Sequence, residues 1–159
     1  MITSKERIDM NRKPPLKGIY CLIIDLNQKS IIKIGKKGKM TFAKGCYVYV
    51  GSALNSLESR IKRHLSHEKK LHWHVDYLLK SEYSKIVNVN WAVTLNDLEC
   101  QLADEIAKKG GGIPDFGSSD CCCPSHLFYF KECAAAKESC ALAFKVLGLK
   151  FKNLEDLDI

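Results

Sequence analysis

The chain has 159 residues, a length that fits one domain, and its composition of 46% apolar and 27% charged residues is typical of globular proteins. No apolar stretch approaches the roughly 18 residues that a membrane span needs, and the first residues are too polar for a signal peptide. We therefore expect a single domain over residues 1–159, no membrane association and a cytoplasmic location. In that compartment the eight cysteines are expected to be thiols rather than disulfides.

The net charge of +7 is unevenly distributed along the chain. Residues 29–85 contain 13 Lys and Arg against 4 Asp and Glu, whereas residues 86–159 contain 7 against 11. A concentrated positive charge suits a polyanion such as nucleic acid. A merely soluble basic surface is the alternative.

In chain order, the apolar pattern predicts strands and helices. After a basic leader at 1–16, the run at 17–26 is apolar on both faces, which is typical of a central strand. Turn residues between two short strand patterns predict an inserted β-hairpin over 27–45. The elements predicted after it are a strand at 46–52, helices at 57–65 and 72–81, a strand at 85–94, a helix at 97–109, a strand at 126–130 and a helix from about Ala134. The expected fold class is α+β, a small and mostly antiparallel central sheet flanked by helices.

One carboxylate in the helix at 97–109 lies among apolar residues. At 100° per residue, Glu99 falls near the middle of the arc that contains Leu98 and Leu102. A buried carboxylate is normally neutralised, paired with a cation or bound to a metal. The same sequence also fits a capping box from Asn96 to Glu99, in which the carboxylate only bonds backbone N–H groups.

Two basic residues share one flank of the helix at 57–65. Arg60 and His64 are four residues apart, beside a stripe formed by Leu57 and Ile61 that is expected to be buried. A guanidinium suits a phosphate group, and an imidazole can transfer a proton near neutral pH. A solvated basic flank is the alternative.

Tyrosines occur on two of the predicted strands. Tyr20 lies on strand 17–26, and Tyr49 shares a face of strand 46–52 with Gly51. If the two strands are neighbours, the two hydroxyls can meet at one place. Ordinary packing of the rings is the alternative.

These residues form an ordered set. The set that resembles the GIY-YIG endonuclease superfamily is Gly18-Ile19-Tyr20, Tyr49-Val50-Gly51, Arg60 and Glu99. The resemblance covers about residues 17–109. The segments HWHVDYLL and GSSDCCCPSHLFYF also resemble a small branch of the superfamily, found alone or beside endonuclease III-type repair domains. This branch implies DNA handling, with a repair protein as a class of partner.

The resemblance implies a role for each matched residue. Tyr20 would assist deprotonation of the attacking water, and Tyr49 would orient water or phosphate. Arg60 would hold the scissile phosphate, and His64 matches a further functional histidine. Glu99 would bind one divalent cation, Mg²⁺ or Mn²⁺, because such hard ions take one carboxylate together with phosphate oxygens and waters.

The chain departs from the superfamily pattern in two places. The hairpin between the two motifs adds lysines to one wall of the expected site. The expected DNA contacts are Lys36, Lys37, Lys39, Arg63, His72 and His74. The superfamily also places an asparagine after the glutamate helix, and this chain has no clear equivalent. Ser119, Asp120 and Ser125 are the candidate substitutes.

The loop DCCCPSH raises a second metal hypothesis. Cys121 and Cys123 point the same way in an extended chain, and His126 could join them as zinc ligands. Cys133 or Cys140 would supply a fourth ligand. The spacing is not a familiar zinc pattern, so packed cysteines are favoured over Zn²⁺ and over a redox-sensitive thiol pair.

The favoured function is a DNA endonuclease that hydrolyses phosphodiester bonds with one divalent metal, acting in DNA repair or processing on branched or damaged DNA. One alternative is a non-catalytic nucleic-acid-binding module of the same fold. The other is a cysteine-dependent metal or redox protein. The endonuclease hypothesis predicts that Tyr20, Tyr49, Arg60 and Glu99 converge on one cleft.

Overall fold

The computed structural model describes residues 13–118 and 123–159. This part of the chain contains eight strands and four α-helices. The strands are β1 (Gly18–Leu26), β2 (Ser30–Lys33), β3 (Lys39–Phe42), β4 (Gly45–Ala53), β5 (Ser84–Val93), β6 (Gly111–Gly112), β7 (Leu127–Phe130) and β8 (Lys152–Asn153). The helices are α1 (Leu57–Leu65), α2 (His74–Lys80), α3 (Glu99–Ala107) and α4 (Cys133–Val146). None of these helices is both long enough and apolar enough to cross a bilayer.

Six strands form the central sheet, in the order β6-β7-β4-β1-β5-β8, and neighbouring strands pair antiparallel. β1 lies between β4 and β5 and is buried over nearly its whole length. Its two-sided apolar pattern follows from this central position, because helices cover both faces of the sheet. The predicted α+β class with a mostly antiparallel sheet is confirmed.

The sheet separates two hydrophobic cores. Successive residues of a strand point to opposite faces, so Tyr20 and Leu22 of β1 belong to one core, and Ile19 and Cys21 to the other. Buried residues of α1, α2 and the hairpin complete the first core. Buried residues of α3 and α4 complete the second.

The predicted insertion is a hairpin with its own two-stranded sheet, β2 paired with β3. A short 3₁₀ turn at Gly35–Lys37 joins the two strands. The hairpin is anchored by Ile34 and Phe42, both of which are buried. The Phe42 ring packs edge-on against Phe116, with ring centroids 6.2 Å apart. The hairpin is therefore part of the core and not a loose appendage.

Most of the expected leader, residues 1–12, lies outside the described residues. Its last residue is attached to the start of α1. The Leu16 N–H donates to the Glu58 carboxylate at 3.1 Å, and the Leu16 carbonyl accepts from the Leu57 N–H at 2.7 Å. These bonds satisfy backbone groups at a helix start that would otherwise lack partners.

Candidate active-site cleft

A cleft of about 540 Å³ lies where β4 ends and where α1, α2 and α3 approach it. Its walls carry Tyr49, Arg60, His72, His74, Glu99 and His126. These residues come from different parts of the sequence, and each of them was a candidate site residue. Tyr20 and His64 lie behind this wall, in the buried interior.

Ser52 links the cation and the carboxylate of the cleft. The Arg60 Nη1 donates to the Ser52 carbonyl at 2.9 Å, and the Ser52 hydroxyl donates to Glu99 Oε2 at 3.0 Å. A positive and a negative group are therefore fixed on either side of one residue at the end of β4. Sequence reasoning did not select Ser52, although it directly follows the Tyr49–Gly51 motif.

The Glu99 carboxylate points away from its own helix backbone. The residue before it, Leu98, provides no side-chain cap for α3, and the Asn96 N–H donates to the Thr94 hydroxyl oxygen at 3.1 Å. Glu99 Oε1 lies 3.3 Å from His126 Nδ1, while Oε2 accepts from Ser52. The capping-box alternative therefore does not describe these contacts.

The donor set beside Glu99 suits a hard divalent cation. The Glu99 side chain is partly exposed, and the exposed Asp97 also lines the cleft. Mg²⁺ is commonly held by one or two carboxylates with waters and substrate phosphates completing its shell. The residues present therefore fit the expected ion.

Tyr20 and His64 form a buried hydrogen-bonded pair. The Tyr20 hydroxyl lies 2.7 Å from His64 Nε2, and the two residues are 1% and 2% exposed. Burial raises the pKa of Tyr20 well above its ordinary value. Burial also lowers the pKa of His64 to about 3, and the positive charge of Lys69 acts in the same direction. At neutral pH the tyrosine is therefore protonated and the imidazole neutral, so the hydrogen bond joins two uncharged groups.

Tyr49 is the tyrosine that faces the cleft, and it is 8% exposed. Burial, with the nearby Glu99 carboxylate, raises the pKa of Tyr49 above its ordinary value. Its phenol therefore stays protonated at neutral pH and can donate a hydrogen bond. The ring also packs edge-on against the His64 ring, with centroids 5.9 Å apart. Tyr49 thus connects the cleft with the buried pair behind it.

Trp73 orders the guanidinium groups of α1. Arg60 and Arg63 lie over its ring at 4.6 and 4.2 Å from the centroid, distances at which cation–π attraction operates. Arg63, an expected DNA contact, also forms two 2.9 Å hydrogen bonds to the buried Asp76 carboxylate. Its guanidinium therefore joins α1 to α2. Trp73 and Asp76 were not selected from the sequence.

Among the hairpin lysines, Lys37 lies close enough to His74 for its charge to act on that imidazole. Lys36, Lys37 and Lys39 are exposed. Burial lowers the pKa of His74, and the charge of Lys37 lowers it further. His74 Nδ1 accepts the Gly117 N–H at 3.0 Å, so the imidazole also holds the loop after β6.

The loop before β7 contains residues proposed as supporting groups or metal ligands, and the structure describes only part of this loop. Ser119, Asp120 and Cys121 lie outside the described residues. The Ser125 hydroxyl donates to the Leu127 carbonyl and accepts the Leu127 N–H, both at 2.9 Å, and so supports the entry into β7.

The described cysteines are arranged differently from the sequence hypothesis. The ligand atoms of Cys123 and His126 lie within 4.8 Å of each other and of the Cys100 sulfur. Cys133 and Cys140, the two suggested fourth ligands, do not belong to this group. Cys140 is buried in the core, and the Cys133 thiol faces Asp25. Cys100 had not been considered, although it directly follows Glu99.

A family model matches residues 19–149, which are 131 of the 159 residues and include all the cleft residues named above. The chain belongs to the DUF123 family, described as a domain of unknown function. No curated protein and no solved structure matches this DUF123 chain. The chemistry of the cleft is therefore inferred from its own geometry.

Proposed function

We propose that this DUF123 chain is a DNA endonuclease of the GIY-YIG type that hydrolyses a phosphodiester bond in the cleft. The observation that carries the proposal is the Ser52 bridge, which fixes Arg60 and Glu99 on opposite sides of one residue. Phosphoryl chemistry needs a cation on the phosphate oxygens and a carboxylate for a divalent ion. The bridge positions both before substrate arrives.

Arg60 is the group that would hold the scissile phosphate. Its Nη1 donates to the Ser52 carbonyl, and its Cζ lies 4.6 Å from the centroid of the Trp73 ring. These contacts reduce the conformational freedom that a long side chain would lose on binding phosphate. The neighbouring Tyr49 phenol would donate a hydrogen bond to a phosphate oxygen or to the attacking water.

Tyr20 would orient the attacking water from the interior side. Its hydroxyl is hydrogen-bonded to His64 Nε2, and a phenol, with one O–H and two lone pairs, keeps the capacity for a second hydrogen bond to water. Because the pKa of His64 is lowered to about 3, the imidazole is a weak base. We therefore assign His64 a positioning role toward Tyr20 in place of the proton-transfer role expected from the sequence.

Glu99 would hold the divalent cation, Mg²⁺ or Mn²⁺, and His126 would hold the Glu99 carboxylate in place. The bound ion would stabilise charge on the phosphate and on the leaving oxygen. The hairpin lysines and His72 would contact the flanking DNA backbone. The proposed substrate is branched or damaged DNA, with a repair protein as partner and a cytoplasmic location that suits thiols such as Cys21 and Cys140.

A non-catalytic nucleic-acid-binding module is the second candidate. One observation favours it: Tyr20 is only 1% exposed. The tyrosine that was expected to contact the attacking water therefore lies behind the cleft wall. In that case Arg60 and the lysines would bind the DNA backbone without hydrolysis.

Cleavage assays with matched variants test the endonuclease proposal. Supercoiled plasmid and branched or lesion-bearing oligonucleotides are incubated with the protein in Mg²⁺, Mn²⁺ or EDTA. Wild type should nick at least one substrate with metal and none in EDTA. Glu99→Gln should lower the nicking rate by at least about 100-fold, because it removes the metal-binding carboxylate. Asp104→Asn, at an exposed position of the same helix, is the control and should stay within about twofold.

Tyr20→Phe separates chemistry from folding. It removes the partner of a buried imidazole, so we expect a loss of about 1–2 kcal/mol of unfolding free energy as well as slower nicking. Tyr129→Phe removes an exposed hydroxyl bonded to the Lys44 carbonyl and is the stability control. Salt-dependent DNA binding without nicking by wild type would favour the binding module. Undiminished nicking by Glu99→Gln would refute the assigned site.

A further inference from the structure

Two cysteines and one histidine meet at the edge of the cleft, and the proposed hydrolysis uses only the histidine, through its contact with Glu99. Cys100 is the second residue of α3, whereas Cys123 and His126 precede β7. Their ligand atoms lie within 4.8 Å of one another. His126 is 3% exposed and the two cysteines are partly buried.

The chemistry of these three donors selects a soft or borderline metal ion. Thiolates and imidazole are the ligands of Zn²⁺, whereas Mg²⁺ and Ca²⁺ take oxygens. With Zn–S bonds of about 2.3 Å, a tetrahedral ion holds two sulfurs about 3.8 Å apart. Separations of up to 4.8 Å therefore need a closure of only about 1 Å, within the range of small side-chain rotations.

We propose that Cys100, Cys123 and His126 bind one Zn²⁺ ion. The site would tie the first turn of α3 to the segment before β7, two parts of the chain more than twenty residues apart in sequence. It is separate from the hard-cation position at Glu99, and the inference does not depend on endonuclease activity. Zinc is four-coordinate in such sites, so a further ligand completes the set.

Glu99 connects the zinc site to the cleft. Its Oε1 lies 3.3 Å from His126 Nδ1. Zinc-bound histidines commonly donate their second ring nitrogen to a carboxylate, and that bond fixes the ring. Because Nδ1 lies beside the Glu99 carboxylate, Nε2 is the ring nitrogen that would bind the metal, and a ring fixed in that way would turn its Nδ1–H toward Glu99. Zinc would therefore hold both His126 and, through it, the carboxylate that faces the cleft.

Metal analysis of the full chain tests the proposal. The protein is purified in chelator-free buffer with a reductant, and its zinc content is measured by mass spectrometry of the elements. We expect about one zinc per chain. Replacement by Co²⁺ should give thiolate-to-cobalt charge-transfer absorption and the visible bands of a tetrahedral ion.

Single variants identify the ligands. Cys100→Ser, Cys123→Ser and His126→Gln should each lower zinc affinity at least about tenfold, since even second-shell changes cost 10- to 100-fold. Cys133→Ser is the control, because this partly buried cysteine lies outside the group, and it should bind zinc like wild type. Cys100→His keeps a metal ligand and should retain Co²⁺ with weaker charge-transfer absorption.

Removing zinc from wild type with a chelator tests the site without a substitution that could itself prevent folding. Stripping the zinc should lower the Tm, and adding zinc back should restore it. The proposal is wrong if reduced wild type fails to bind zinc, if the two cysteine-to-serine variants bind it as wild type does, or if peptide mapping finds a Cys100–Cys123 disulfide in its place. Zinc binding without DNA cleavage would leave this inference standing, and cleavage without zinc would leave the endonuclease proposal standing.

Discussion

At the residue scale, one packing contact couples the Gly18–Tyr20 motif to the Tyr49–Gly51 motif. Tyr20 of β1 lies opposite Gly51 of β4 in the strand register. A Cβ at position 51 would lie 2.5 Å from the Tyr20 hydroxyl oxygen, far inside van der Waals contact. Glycine at that position therefore gives the Tyr20 ring room to reach His64.

His64 should make the protein sensitive to mild acid. Its pKa of about 3 in the folded state lies below the value of about 6.5 expected in the unfolded chain. Between these values the unfolded state binds more protons, so stability is complete above about pH 6.5 and falls as the pH is lowered toward 3. At pH 4.5 the loss from His64 is about 3 kcal/mol.

Urea unfolding of wild type and His64→Gln between pH 7 and 4.5 measures this loss. Between pH 7 and 4.5 the variant should lose about 3 kcal/mol less unfolding free energy than wild type, whatever its stability at pH 7. The charged and titratable groups around the ring, which both proteins share, are Tyr20, Tyr49, Arg60, Arg63, Lys69 and Asp76. His67→Gln, at an exposed histidine, is the control. Parallel pH curves for wild type and His64→Gln would contradict the buried neutral state.

Sequence reasoning found the residues of the site that have unusual chemistry, but not those that hold them. Arg60 and Glu99 were selected because their chemistry and their order along the chain resemble the GIY-YIG set, since on its own helix each also fitted an ordinary solvated or capping role. Ser52 and Trp73 are ordinary residues whose roles arise only when β4, α1 and α3 meet. Cys100 lies 23 positions before Cys123, and no local pattern relates them. Such partners are set by tertiary packing.

At the scale of elements, Asp76 is the junction of α1 and α2. Its fully buried carboxylate accepts two hydrogen bonds from Arg63 and one each from the His72 and Trp73 N–H groups. Burial alone would raise the pKa of Asp76, but these bonds lower it below its ordinary value. The carboxylate therefore starts α2 and ties it to α1.

A double-mutant cycle should show strong coupling across this junction. Arg63→Gln leaves a buried charge without its cation, and Asp76→Asn leaves the cation without its partner, so each should cost about 2–4 kcal/mol. The double variant should be less destabilised than the sum by about 1–3 kcal/mol. Urea unfolding at pH 7 gives all four free energies.

The ion pair between Lys108 and Glu105 on α3 is the matched control. It is a three-apart pair with a lysine side chain 65% exposed, so its coupling should not exceed about 0.5 kcal/mol. Equal coupling at the two pairs would mean that the Arg63–Asp76 contact is no more than a surface ion pair.

Element boundaries followed the sequence wherever period and capping agreed. The helix predicted at 57–65 is α1, and the Ser56 hydroxyl caps it by accepting the Ser59 N–H. The helix predicted at 97–109 is shorter, because α3 begins at Glu99. There a capping residue was present in the sequence, but the Asn96 backbone turned toward Thr94 instead.

At the scale of the whole molecule, charge is divided between the walls of the cleft. The basic stretch 29–85 contains the hairpin, α1 and α2, which pack on one face of the sheet. The acidic stretch 86–159 contains α3 and α4, which pack on the other face, and it supplies Glu99. The cleft, whose lining includes Arg60, Asp97 and Glu99, thus lies between the basic and the acidic part of the chain. The sequence predicted only that positive charge gathers around the Tyr49–Gly51 motif; its separation onto one face of the sheet follows from the packing of the elements.

The hairpin lysines should contribute to DNA affinity mainly through counterion release. Each phosphate neutralised adds about 0.9 to the slope of log affinity against log salt concentration. Replacing the exposed Lys36, Lys37 and Lys39 by alanine should therefore reduce that slope by up to about 3. Fluorescence anisotropy with a labelled duplex, at several salt concentrations in EDTA, measures the slope without cleavage. The matched control replaces the exposed Lys145, Lys150 and Lys152, which lie in α4 and in the segment after it. Both triple variants lose the same net charge, so an effect of overall charge would reduce the two slopes equally. If the hairpin is a DNA-binding surface, only the hairpin variant should show a reduced slope.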